Sequence, residues 1–114
     1  MKLILASIFI ILSMYGSDVY AGTYQGKVTN IYAYGGKIFV RIANGGWDSN
    51  STCTTSTDSF EVWLDPENEY GKALLSIALV SKTADKLVWV AGSGTCIDGP
   101  RGKSEGLSGV DLKG

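Results

Sequence analysis

Glu69-Tyr70-Gly71-Lys72-Ala73-Leu74-Leu75-Ser76-Ile77-Ala78-Leu79-Val80-Ser81-Lys82-Thr83-Ala84-Asp85-Lys86 is the stretch whose reading decides the fold. Leu74, Ile77, Ala78 and Ser81 recur at i, i+3, i+4 and i+7, the spacing of one helical face, with Tyr70 a turn before and Ala84 a turn after. Leu75, Leu79 and Val80 widen that face, while Lys72, Ser76, Thr83 and Lys86 form the polar side. Upstream, Pro66 is tolerated at a helix start, and Asp65 or Asn68 can cap the free amides. Glu67 and Glu69 stand where the helix dipole favours anions, Lys82 and Lys86 where it favours cations. Gly71 is a weak spot, costing up to about 1 kcal/mol against Ala. The spacing predicts one helix over residues 69–86. Its wide apolar face suits the plug of a small barrel, and its excess width suits contact with a neighbouring subunit.

Strand patterns surround it. Thr23 to Tyr34 alternates at Tyr24, Gly26 and Val28, then shifts phase to Ile31, which predicts a bulge. Gly35-Gly36 supplies a tight hairpin turn. In Lys37 to Ala43, Ile38, Val40 and Ile42 point one way, Phe39 and Arg41 the other, and Asn44-Gly45-Gly46 ends the strand. Trp47 to Ser59 reads as a polar loop with Cys53 in its middle, long for a small domain and therefore functional or pinned. Phe60 to Leu64 places Phe60, Val62 and Leu64 inward, Glu61 and Trp63 outward. After the helix, Leu87 to Ala91 turns Val88 and Val90 inward and Trp89 outward. Ile97 to Glu105 reads as a loop, and Leu107, Val110 and Leu112 as a short edge strand. The order strand, strand, strand, helix, strand, strand in a mainly β chain is the connectivity of the five-stranded Greek-key barrel known as the OB-fold. That fold presents its second and third strands to ligands. Phe39, Arg41 and Trp63 then form an outward stacking platform, with Trp47, Ser49 and Asn50 beside it as further ligand-binding candidates.

The first 21 residues read as a cleaved signal peptide. Lys2 is followed by an apolar run from Leu3 to Met14, and Val19-Tyr20-Ala21 fits the residues a signal peptidase reads. Residues 22–114 then make one small domain. No second apolar segment follows, so the mature chain is expected to be soluble, in the periplasm or outside the cell. Taking Lys2 and Asp18 from totals of 10 basic and 11 acidic side chains leaves the net charge at −1. This lacks the basic footprint of a nucleic-acid binder. Cys53 and Cys96, 43 positions apart, are the two cysteines, and in an exported domain they are expected to pair. The absence of any His removes a His base and the usual zinc partners, so no catalytic residue, metal or cofactor is expected.

Gly71-Lys72-Ala73-Leu74-Leu75, Asp85-Lys86-Leu87-Val88-Trp89-Val90, Gly94-Thr95-Cys96, Glu105-Gly106-Leu107 and Val110-Asp111-Leu112 together resemble small exported bacterial OB-fold proteins. In size, signal peptide, disulfide and helix position the chain is similar to the binding (B) subunits of AB5 toxins, including the subtilase-cytotoxin and pertussis-like groups. The resemblance implies a homo-oligomer of five copies around the helices, binding cell-surface glycans. It carries over no glycan contact residue by residue, and the N-terminal helix of cholera-type subunits has no counterpart here. Three functions follow for testing. A glycan-binding module would use Trp47, Trp63 and Phe39 as stacking faces and Ser49, Asn50, Ser51 and Thr52 for sugar hydroxyls. A protein-interaction domain would bury its outer aromatics against a partner protein. An enzyme would need a base at activating spacing to its many Ser and Thr residues, and the sequence offers none. Asp65 with Glu67 sits in a capping region, and Lys103 with Glu105 reads as a solvated loop.

Overall fold

Alternating apolar residues close five strands into one ring. The computed structural model describes residues 21–54 and 56–113. The expected signal peptide, apart from Ala21, lies outside the described residues. The elements run β1 (Thr23–Tyr34), β2 (Lys37–Ser49), β3 (Ser59–Leu64), α1 (Glu69–Thr83), β4 (Leu87–Gly99) and β5 (Gly102–Leu112). Around the sheet the order is β1-β2-β3-β5-β4, with β4 returning to β1 so that the sheet closes on itself. All pairings are antiparallel except β3 with β5, where Val62 faces Glu105 and Trp63 faces Gly106. That parallel step is what the helical crossover between β3 and β4 makes room for.

Inside the ring lie Tyr24, Val28, Val40, Ile42, Phe60, Val62, Leu64, Val88, Val90 and Leu107, joined by Leu74 and Ala78 from α1. These are the inward positions that period-two alternation predicts, and the phase shift in β1 appears as a register shift between Val28 and Asn30. Gly35 and Gly36 both adopt positive φ, 60° and 79°, which a two-residue β1–β2 turn needs. Tyr24 is buried, yet its hydroxyl is satisfied twice: it donates to Asp58 O at 3.1 Å and accepts from Gly45 N at 3.1 Å.

Asn68 caps α1, its Oδ1 accepting from Tyr70 N at 2.8 Å and Gly71 N at 3.4 Å. Gly71, Leu74, Ala78 and Ser81 form the buried face. The helix ends three residues before its predicted limit. Asp85 adopts φ 53°, and Lys86 N reaches back to Ser81 O at 2.9 Å while Asp85 N meets Lys82 O at 3.2 Å, a Schellman closure built on Asp instead of Gly. The polar side of that closure gave no glycine to mark it.

Two loop expectations are corrected. β2 passes through Asn44, held at φ 59°, and runs on to Ser49, so Trp47 is a strand residue paired with Tyr24. Ile97 to Glu105 is a hairpin in which Cys96 faces Glu105, Ile97 faces Ser104 and Asp98 faces Lys103. Its arms pair mostly with each other, so no apolar alternation marks them as strands. The final strand starts at Gly102, five residues ahead of Leu107, and is not the expected edge strand, because it pairs with β3 on one side and β4 on the other. Among the described residues no helix is long and apolar enough to cross a membrane.

Candidate functional site

The expected platform on β2 and β3 is occupied by the protein's own groups. Phe39 does face out from the ring, but it is 1% exposed. Tyr32 stacks on one side of it, centroids 5.3 Å apart and planes 11° from parallel. The β4–β5 hairpin covers it so closely that a Cβ on Gly99 would stand 2.8 Å from the ring. Phe39 therefore cannot stack on a ligand, and its place in the proposed contact set is withdrawn. Arg41 is half-buried and donates from Nη1 to Thr29 Oγ1 at 3.3 Å, while the Thr29 hydroxyl donates to Arg41 O at 3.3 Å. Glu61, opposite Arg41 in the register, accepts a hydrogen bond from the Tyr32 hydroxyl. Burial, then the bonded Glu61 carboxylate, pushes the Tyr32 phenol above the usual tyrosine range, and Arg101, 5.9 Å over the ring, pulls weakly the other way.

Trp63 stands apart from Trp47. Half-buried, it donates from Nε1 to Thr95 O at 3.3 Å and lies under the Lys37 ammonium at 5.5 Å. It walls a cleft of ≈ 330 Å³ against the start of α1, shared with Lys37, Asn68, Tyr70 and Ser93. Lys37 also faces Asp65 at 3.9 Å. Trp89, the third tryptophan, is half-buried and donates to Asp48 Oδ2 at 3.0 Å.

A second hollow, of ≈ 320 Å³, gathers Trp47, Asn50, Ser51, Thr54, Ser56 and Thr57. Here an aromatic edge meets an amide and several hydroxyls. Trp47 is anchored from behind, 5.1 Å from Tyr24 in an edge-on contact and 4.6 Å from Phe60. Much of the ring thus serves the core, a role that its place in a supposed loop did not suggest. Ser56 is held by its own bonds: N to Thr54 Oγ1 at 3.3 Å, Oγ to Asp58 Oδ1 at 2.9 Å, and a contact with Ser59 Oγ at 3.0 Å. Ser51 spends its hydroxyl proton on Glu105 and accepts from Cys53 N at 3.0 Å, so it shapes the wall more than it could bind a ligand. Asn50 and Thr57 are exposed at the rim, and Ser49 is exposed just outside it.

The Cys53–Cys96 disulfide, Cα atoms 5.3 Å apart, ties this loop to β4. Of the expected contact residues, then, Trp47 and Asn50 come together, Ser49 flanks them, Trp63 walls a different cleft, and Phe39 and Arg41 are committed elsewhere. Thr54, Ser56 and Thr57 were missed because Ser and Thr in a polar loop carry no signal until the chain folds them around a ring. The dense run Ser51-Thr52-Cys53-Thr54 beside a pinning cysteine was the one available hint. No family model, no curated protein and no solved structure matches this chain.

Proposed function

We propose that the chain is an exported, non-catalytic binding module of the OB-fold type, and that it takes a glycan in the hollow bounded by Trp47, Asn50, Thr54 and Thr57. The observation that carries this reading is the meeting of an anchored indole with a rim of amide and hydroxyl groups on a disulfide-pinned loop. Sugars present an apolar C–H face and a hydroxyl edge, and such a rim meets both. The OB-fold assignment rests on the closed five-strand order with its helix between β3 and β4. Export rests on the leader-like sequence and the disulfide.

The test is a titration of tryptophan fluorescence with sialylated and neutral oligosaccharides. We expect saturable quenching that Asn50→Ala and Thr57→Ala, both exposed and separate from the core, weaken about tenfold, the value of one or two lost hydrogen bonds. A flat signal across both glycan classes overturns the reading.

A second reading, a protein-interaction or ring-forming subunit, has its own observation. Leu79 and Val80 on α1 are 47% and 53% exposed. Val80 and Ile77 border Val110 and Leu112 of β5 in one apolar depression. This is the excess width of the helix face left uncovered by its own barrel. Native mass spectrometry separates the cases. A pentamer supports the toxin-B-like assembly, and a monomer at high concentration removes it.

A further inference from the structure

Glu105 is a carboxylate at 0% exposure, in a segment whose sequence reads as a solvated loop. Three donors reach it. Gly22 N lies 3.2 Å from Oε1 and 3.3 Å from Oε2, Gly94 N lies 2.9 Å from Oε2, and the Ser51 hydroxyl donates to Oε1. Gly92 leaves space for the group: a Cβ there would stand 1.8 Å from Oε2. In the uncleaved chain all three donors are neutral, and a buried carboxylate is ordinarily held by a positive charge.

The sequence supplies one at this spot. Val19-Tyr20-Ala21 fits a signal-peptidase site, and in the folded chain Ala21 is exposed while Gly22 is buried, so the boundary of the barrel falls on the expected scissile bond. We propose that hydrolysis of the Ala21–Gly22 peptide bond during export makes Gly22 an α-ammonium, and that Glu105 is its built-in counter-ion. Water adds across the bond under a signal peptidase. Ala21 leaves with the new carboxylate, and the Gly22 nitrogen takes the protons to become an ammonium. That nitrogen gains donors enough to serve both Glu105 oxygens, which the single N–H of a peptide divides between them at 3.2 and 3.3 Å. Glycine is required at this position: a Cβ on Gly22 would stand 2.7 Å from Ser51 Cβ and 2.9 Å from the Trp47 ring. Gly22 O is also held, accepting from Gly92 N at 2.8 Å. Through Ser51, the same cluster braces the loop that carries Cys53. Processing thereby completes the electrostatics of the barrel, whatever the barrel binds.

Intact-mass and N-terminal sequencing of the exported protein come first. Gly22 as first residue is expected, and a start at any other residue overturns the proposal. Next, the Gly22-start protein is compared with a form carrying one extra N-terminal serine, each with and without Glu105→Gln. In the Gly22-start form Glu105→Gln should lower Tm by roughly 10–20 °C, as losing one partner of a buried pair does in a domain this size. In the extended form Tm should already be lower, and Glu105→Gln should cost less than half as much. Equal costs in both backgrounds would sink the pairing. Should Glu105→Gln fail to fold, acylation of the α-amine decides in the unmutated protein. Slow reaction of Gly22 relative to the lysines supports the ion pair, and reaction as fast as an exposed amine refutes it.

Discussion

Gly71 looks in the sequence like a flaw in a helix, and its replacement by Ala would ordinarily add up to about 1 kcal/mol. Its surroundings reverse the sign. A Cβ there would meet Asp65 O at 2.0 Å, and backbone cannot swing away as a side chain can. Gly71→Ala should therefore destabilise by about 1–3 kcal/mol, read from the midpoint of urea unfolding. Tyr32 gives a second prediction at this scale. Its phenol titrates higher in the folded chain than in the unfolded one because burial and Glu61 favour the neutral form. That stability is present in full below the ordinary tyrosine value of about 10 and is lost as pH rises above it. Tyr32→Phe should flatten the alkaline limb of the stability profile, and an unchanged limb would assign the loss to other groups. Single residues also mark where reading by type fails. Glu105 and Lys103 look alike as loop charges, yet one is enclosed and the other exposed, because only the folding of β5 toward Gly22 distinguishes them.

At the scale of elements, α1 and the β4–β5 hairpin differ in how much of themselves they announce. The helix announces much of itself: the buried Leu74, Ala78 and Ser81 are positions its periodicity selects, while Tyr70, Leu79, Val80 and Ala84, read onto the same face, stay exposed and Gly71, read as a weak spot, is buried. Leu74→Ala should cost about 2–5 kcal/mol by opening a cavity beneath the helix. Val80→Glu, on the exposed side, should leave monomer stability within about 0.5 kcal/mol and abolish any assembly that uses this face, as sedimentation would report. The hairpin announces little, since its arms pair through backbone and carry no apolar alternation. Yet it is the hairpin that closes over Phe39. Phe39→Ala should cost about 3–5 kcal/mol while leaving any sugar titration of Trp47 unchanged, which separates a packing role from a binding one.

For the molecule as a whole, the disulfide is the covalent cross-link between the loop bearing the hollow and β4. In the chain-entropy model a link across 43 positions contributes roughly 4 kcal/mol. Reduction under native conditions should lower stability by about that amount and loosen the hollow before the core, since Trp47 remains wedged between Tyr24 and Phe60. Hydrogen exchange would show residues 50–54 and 56–58 losing protection first and the β1–β2 pairing last.

Local pattern was enough for one helix among five strands in their order, the inward residues of β1 to β4, part of the buried face of the helix and the partners in the disulfide. Each of these follows from period, spacing or the count of two cysteines, all properties of neighbouring residues. The tertiary structure decided which outward side chains stay open. Phe39, Arg41 and Trp63 alternate correctly and still lose the shared platform, because Thr29 of the neighbouring strand binds Arg41 while Gly99 and Thr95 of β4 arrive from far along the chain against Phe39 and Trp63. The same long-range closure brings Glu105 to Gly22 across 83 positions. Contacts of that separation depend on how the ring closes, and no window of sequence contains both ends.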